Sequence, residues 1–178
     1  MTPTFSPLVL TLKLDRATFE RFNHLRQQYF PPAKNTVPAH ITLFHALPGE
    51  QEATIQCDLQ QFCAIAPPLL LEFPKLRFLG RGVAVEVDCP KLVSLHQQFA
   101  QTWSNWLTQQ DRQEYRSHLT IQNKAPEAEA RLLYEQLTAR WQPCHGSGDG
   151  LLLWHYEGGP WSLANEFLFA APDTTSLS

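Results

Sequence analysis

The sequence predicts a mixed helix-and-strand fold built from two matching halves. The element order strand, helix, strand, helix, strand can be read twice along the chain. The middle strand of each half carries the same pattern, Pro38-Ala39-His40-Ile41-Thr42-Leu43 in the first and Arg116-Ser117-His118-Leu119-Thr120-Ile121 in the second. The 178 residues, 43% hydrophobic and 17% charged, suffice for one sizeable core and are short for two independent ones. Both halves, approximately 7–80 and 82–171, are therefore expected in a single domain over 1–178.

Val9 to Leu14 alternates at period two, as a half-buried strand does. Asp15 can cap the helix that follows, because its carboxylate accepts from free amides at a helix start. Phe19, Phe22, Leu25 and Tyr29 mark that helix, and Pro31-Pro32 ends it. The first His-x-Thr strand runs to Pro48-Gly49, and Gln51 to Ala66 reads as a second helix. Pro67-Pro68 precedes the apolar run Leu69 to Phe73, and Arg77 to Leu79 leads into the turn Gly80-Arg81-Gly82. Val83 to Asp88 alternates again. Pro90 suits a first helical position, where its missing N–H costs nothing. Leu92, Leu95, Phe99, Trp103 and Trp106 carry an apolar stripe to about Gln110. After the second His-x-Thr strand, Pro126 opens a helix to Arg140. Leu151 to Tyr156 and Phe167 to Phe169 read as two strands around Gly158-Gly159-Pro160. The end after Pro172 is expected to fray.

Successive side chains of a strand point to opposite faces. His40 and Thr42 therefore share one face while Ile41 and Leu43 are buried behind them, and His118 and Thr120 repeat the arrangement. Two such strands facing one cleft supply two proton-transfer groups and two hydroxyl donors. Two such sites arise by chance in well under about 1% of shuffled sequences of this composition. The same alternation puts Phe44 and Gln122 on the cleft face, Arg116 beside His118, and His45 on the face opposite His40. The other four histidines, at 24, 96, 145 and 155, have no matching motif and read as structural.

The formal charge of −3 argues against duplex DNA as a partner, since duplex binding draws on many Lys and Arg contacts. Four cysteines without Cys-x-x-Cys spacing read as reduced thiols of a cytoplasmic protein. The opening run Pro7-Leu8-Val9-Leu10 is too short to span a membrane and lacks the basic start of a signal peptide. No carboxylate or third histidine stands at ligand spacing beside either motif, so no metal or other cofactor is expected.

The paired His40-Ile41-Thr42-Leu43 and His118-Leu119-Thr120-Ile121 resemble the hallmark of the 2H phosphoesterases, also called the LigT-like or 2′-5′ RNA ligase superfamily. Tyr156-Glu157-Gly158-Gly159-Pro160-Trp161 looks like a stretch of its small bacterial branch. The resemblance covers nearly the whole chain. It implies a bilobal α+β fold: two antiparallel-sheet lobes related by a pseudo-two-fold axis, helices on their outer faces and a cleft between them. It also implies a metal-independent monomer that acts on the cyclic phosphate of an RNA end or small nucleotide.

Opening a 2′,3′-cyclic phosphate needs a base for water and an acid for the departing ribose oxygen, and histidine can be either near neutral pH. His40 and His118 fit these roles, with Thr42 and Thr120 donating to the non-bridging oxygens. Phe44, Tyr115, Arg116, Gln122 and Tyr156 are the further candidates for substrate contact; Tyr115, Trp154 and Tyr156 could stack on a base. Two alternatives use the same cleft: 2′-5′ RNA ligation, and a non-catalytic RNA- or nucleotide-binding module.

Overall fold

A computed structural model of the chain describes residues 5–171, so the end expected to fray lies outside the described residues. The elements follow in the order β1 (Leu8–Leu14), α1 (Arg16–Tyr29), β2 (Ile41–Leu47), α2 (Glu52–Cys63), β3 (Leu69–Phe73), β4 (Leu76–Phe78), β5 (Val83–Glu86), α3 (Pro90–Thr102), β6 (His118–Gln122), α4 (Glu127–Arg140), β7 (Cys144–Tyr156) and β8 (Trp161–Leu168). Asp15 caps α1 as expected, accepting from the Thr18 amide at 3.1 Å, and it also accepts from the amide of Ser147 in β7 at 2.8 Å. One carboxylate thereby ties a helix start to the central strand.

Two boundaries differ from the sequence pattern. Helix α3 stops at Thr102 rather than near Gln110, because Trp103 is held by tertiary contacts. Its ring stacks on Phe99 at 4.6 Å and meets Phe44 edge-on at 5.4 Å, and its Nε1 donates to Asp58 of α2 at 2.8 Å. Strand β7 begins at Cys144 rather than Leu151. Glycines at 146, 148 and 150 hide its alternation, since they carry no side chain to alternate. They are there for close approach: a Cβ on Gly146 would collide with Thr18 Oγ1, and one on Gly150 would collide with the Phe167 carbonyl oxygen.

The fold is α+β, with two antiparallel sheets. The first runs β2-β1-β7-β3 with β8 also on β7; the second runs β4-β5-β6. Gly148 pairs with both Leu14 and Leu69, and Leu151 with both Leu12 and Phe167, so β3 and β8 lie end to end on the edge of β7 opposite β1. The sheets do not divide at the midpoint of the chain. Strand β4, which follows α2, joins β5, and strand β7, which follows α4, returns to β1. The helices cross as well: α1 packs against β6, and His96 and Phe99 of α3, with Trp103 just past its end, bring the helix onto Phe44 of β2 and Phe62 of α2. Each half thus contributes to the other's lobe, and one continuous apolar cluster joins them. No helix among the described residues is long and apolar enough to cross a membrane.

Candidate active site

The two motifs reach the cleft through the same local device. In β1–β2, Leu12 pairs with Ile41, Thr11 with Thr42, and Leu10 with Phe44. In β5–β6, Val85 pairs with Leu119, Ala84 with Thr120, and Val83 with Gln122. Each motif strand has one extra residue directly after its threonine, Leu43 in one and Ile121 in the other. This is a β-bulge, which re-aims every side chain beyond it. Up to the bulge the expected alternation holds: Ile41, Leu43, Leu119 and Ile121 are buried, while His40, Thr42, His118 and Thr120 are partly open. Beyond it the faces exchange.

Three sequence-based expectations change for that reason. Phe44 turns into the core, fully buried and stacked on His96 at 4.6 Å, so it does not line the cleft. Gln122 is buried at the equivalent position and does not line it either; its side-chain oxygen has no hydrogen-bond partner among the described residues. His45 moves the other way, onto the same side as Thr42. It lines a cavity of about 280 Å³ together with Thr42, Arg77, Tyr115, Arg116 and His118.

The two motif imidazoles are held alike. His40 Nδ1 lies 2.7 Å from the Pro38 carbonyl and His118 Nδ1 lies 2.8 Å from the Arg116 carbonyl. A carbonyl only accepts, so Nδ1 carries the proton in both rings and Nε2 is the free nitrogen. Burial is the main force on their titration. It pushes His40 down to about 4, against a rise from the Pro38 carbonyl, with the charges of Arg26, His45 and His118 lowering it further. His118 is also lowered, chiefly by burial and then by the charges of Arg77 and His45, while the Arg116 carbonyl opposes the shift. Strands β2 and β6 come together, and Thr42 and His118, one from each motif, line the same cavity of about 280 Å³.

Register names residues the sequence reading passed over. Arg77 pairs with Ala84, which pairs with Thr120, so Arg77 lies on the cleft face of the second sheet in line with the motif threonine. On the first sheet Tyr156 pairs directly with Trp161, whose ring lies 4.8 Å from the His40 ring and 6.1 Å from that of Trp154. Trp154 donates from Nε1 to Thr11 Oγ1 at 2.9 Å. Thr11, His40, Trp154 and Trp161 line a second cavity of about 330 Å³ on the His40 side. The signal for Trp161 was the Gly-Gly-Pro turn, because folding the hairpin there sets Trp161 opposite Tyr156.

The remaining candidates divide. Arg116 is exposed on the wall of the 280 Å³ cavity. Tyr115 shares that wall, but one ring face is stacked on His96 at 4.1 Å and its hydroxyl donates to the Thr42 carbonyl at 3.0 Å. It is a strut between the lobes with one face spoken for. Arg26, from α1, donates Nη1–H to the Thr120 carbonyl and Nε–H to Asn35 Oδ1, both at 2.8 Å, and desolvation lowers it to about 10. A buried cation with no carboxylate partner among the described residues therefore holds the second motif strand.

Comparison with known proteins agrees with this architecture. The family model described as the 2′-5′ RNA ligase superfamily matches residues 14–160. LigT of E. coli, in its complex with 3′-AMP, is similar with a TM-score of 0.66 and 17% identity, over 94% of this chain and 99% of that chain. TT0787 of Thermus thermophilus is similar with a TM-score of 0.66 and 14% identity, over 92% of this chain and 97% of that one. No curated protein matches the chain in sequence.

Proposed function

Because the chain belongs to the 2′-5′ RNA ligase superfamily, the 2H phosphoesterases, we propose that it is a metal-independent phosphoesterase that opens a 2′,3′-cyclic phosphate, or a related phosphodiester, of an RNA end or nucleotide. The observation that carries this reading is the matched pair of imidazoles. Both rings donate Nδ1–H to the carbonyl two residues earlier, which leaves Nε2 free, and in the proposed arrangement both Nε2 atoms face one cleft. LigT, whose fold the chain shares, has been crystallised with phosphate, 3′-AMP, ATP and NADP+, ligands of the chemistry proposed here.

In the proposed reaction one Nε2 takes a proton from water as the oxygen attacks phosphorus. The other imidazole, protonated, gives its proton to the ribose oxygen as the P–O bond breaks. Thr42 and Thr120 donate to the two non-bridging oxygens, where negative charge collects. With an RNA 5′-hydroxyl in place of water the groups keep their roles: one Nε2 takes the hydroxyl proton, the other imidazole protonates the departing 3′-oxygen, and a 2′-5′ linkage forms; in the reverse reaction, which re-forms the cyclic phosphate, the roles exchange. The anionic cyclic phosphate between the rings favours their protonated forms, which offsets the lowering by burial and brings one of them into the acid role. Tyr156 and Trp161 form the proposed wall for the base, and Arg116 holds a phosphate oxygen. The same reading takes the enzyme as a monomer in a reduced, cytoplasmic setting.

The test is a panel of 2′,3′-cyclic nucleotides, cyclic-phosphate RNA ends, ADP-ribose 1″,2″-cyclic phosphate and 2′-5′ oligoadenylate, each with and without a chelator. Turnover of at least one substrate, unchanged by chelation, is expected. Activity that vanishes with chelator and returns with a metal ion would remove the metal-independent reading, and silence across the panel would favour a non-catalytic binding module.

A further inference from the structure

The four motif groups already meet the needs of one reacting phosphate: two imidazoles for the attacking and leaving oxygens, and two hydroxyls for the non-bridging pair. The structure places three more basic side chains beside them. His45, Arg77 and Arg116 line the cavity of about 280 Å³ on the His118 side.

His45 is the most constrained of the three. From Leu10 to Leu8 strand β1 advances two residues while β2 advances three, from Phe44 to Leu47, so a second irregularity follows the bulge at Leu43. The amides it frees are taken up by one carboxylate. Asp111, 4% exposed, accepts from the His45 amide at 2.9 Å and the Ala46 amide at 3.0 Å, and its Oδ1 lies 3.0 Å from His45 Nδ1. With Nδ1–H committed to Asp111, the ring is fixed and Nε2 points away from the carboxylate. Nε2 has no partner among the described residues, and the His45 side chain is 45% exposed. Arg77 is partly neutralised by Glu86 at 3.3 Å, whereas Arg116 has no ion-pair partner among the described residues. The acids on the cavity wall are Asp111, already committed, and Glu114. The cavity on the His40 side differs in kind: it presents Trp154, Trp161 and Leu152, and both of its cations are paired, Lys13 with Glu166 and Arg16 with Glu20, each at 2.7 Å. One side of the reacting phosphate suits a base, and the other suits an anion.

We propose that the cavity on the His118 side is a subsite for a second phosphate group of the substrate, with Arg116 and Arg77 as its cations and His45, oriented by Asp111 and donating from Nε2 as the imidazolium when the phosphate is bound, as its third donor. This deepens the phosphoesterase reading and rests on it. The second phosphate has two possible sources, the 5′-phosphate of the nucleotide that bears the cyclic phosphate, or a phosphate on the nucleotide across the reacting linkage.

The experiment compares substrates in pairs that differ by one phosphate: adenosine 2′,3′-cyclic phosphate with and without a 5′-phosphate, and 2′-5′-linked diadenylate with and without a terminal phosphate on the far nucleotide. The wild type is expected to favour the phosphorylated member of one pair by about tenfold or more in kcat/KM, as a hydrogen bond to a charged group allows. That preference should collapse toward parity in His45→Gln and Arg116→Gln, while a merely structural role would slow both members alike. The pair that shows the preference identifies the source. No preference in either pair, or a preference that survives both substitutions, overturns the subsite. Binding separates this from failure of the phosphoesterase reading. If no substrate reacts, calorimetry of adenosine 2′-monophosphate against adenosine 2′,5′-bisphosphate, and of the two diadenylates, replaces kinetics. Tighter binding of the extra phosphate in wild type but not in His45→Gln upholds the subsite, and equal affinity within both pairs overturns it.

Discussion

Arg26 donates Nη1–H to the carbonyl of Thr120 at 2.8 Å, so a helix of the first half holds the motif strand of the second from behind. The same guanidinium lies 4.2 Å from the centre of the Phe30 ring and bonds Asn35, with no carboxylate partner among the described residues. Its charge is one of the influences that keep His40 deprotonated. Structure and electrostatics of the site therefore meet in one side chain.

Replacing Arg26 with Gln should have two effects. Loss of the charge-assisted hydrogen bonds should lower stability by about 2–3 kcal/mol in chemical denaturation. Removing the cation should also raise the His40 pKa, which NMR titration of the imidazole would show. A fully retained stability would mean that the buried bonds contribute nothing net.

His40→Ala and His118→Ala should each reduce cyclic-phosphate opening by about 10²–10⁴-fold. Both rings are partly open, so the melting temperature should hardly fall. The double variant should be only slightly worse than either single one, because acid and base act on one transition state. Retained turnover in either single variant would remove that imidazole from the mechanism.

Stability should depend on pH through the same histidines. In the folded chain His40 titrates near 4 and His118 is also lowered, whereas both take the ordinary value of 6.5 when unfolded. The unfolded chain therefore binds more protons between 6.5 and 4, and stability should fall as pH drops through that window. Urea denaturation at stepped pH measures the slope. His40→Gln should flatten it, and an unchanged slope would place the acid sensitivity elsewhere.

Trp161→Ala should weaken binding of a purine nucleotide by about 1–3 kcal/mol if the ring carries the base. KM should rise while kcat changes little, because the ring touches no reacting atom. An effect of equal size on inorganic phosphate binding would show that Trp161 acts by positioning His40 instead.

Gly150→Ala tests the hairpin that carries Trp161. A Cβ there would run into the Phe167 carbonyl oxygen, a contact that requires backbone movement. The expected cost is about 1–3 kcal/mol, the range for overpacking. A neutral effect would mean that β7 and β8 separate easily.

The motifs, the order of elements and the faces of His40, Thr42, His118 and Thr120 were all legible in the sequence. Period-two alternation, helix caps and proline stops act over a few residues, and a linear reading contains them. What lay past the threonines was not legible. Alternation extended through Phe44 and Gln122 predicts cleft residues, but a bulge at Leu43 and at Ile121 turns both inward and delivers His45 instead. A bulge is decided by what the partner strand offers, and the second irregularity, between Phe44 and Leu47, is held by a distant carboxylate, Asp111, which takes the His45 and Ala46 amides. Trp161 and Arg77 reached the site through cross-strand pairing, and the exchange of β4 and β7 between lobes has no signature in local periodicity. Local chemistry determined which groups could act, and only tertiary pairing decided which of them face the same cleft.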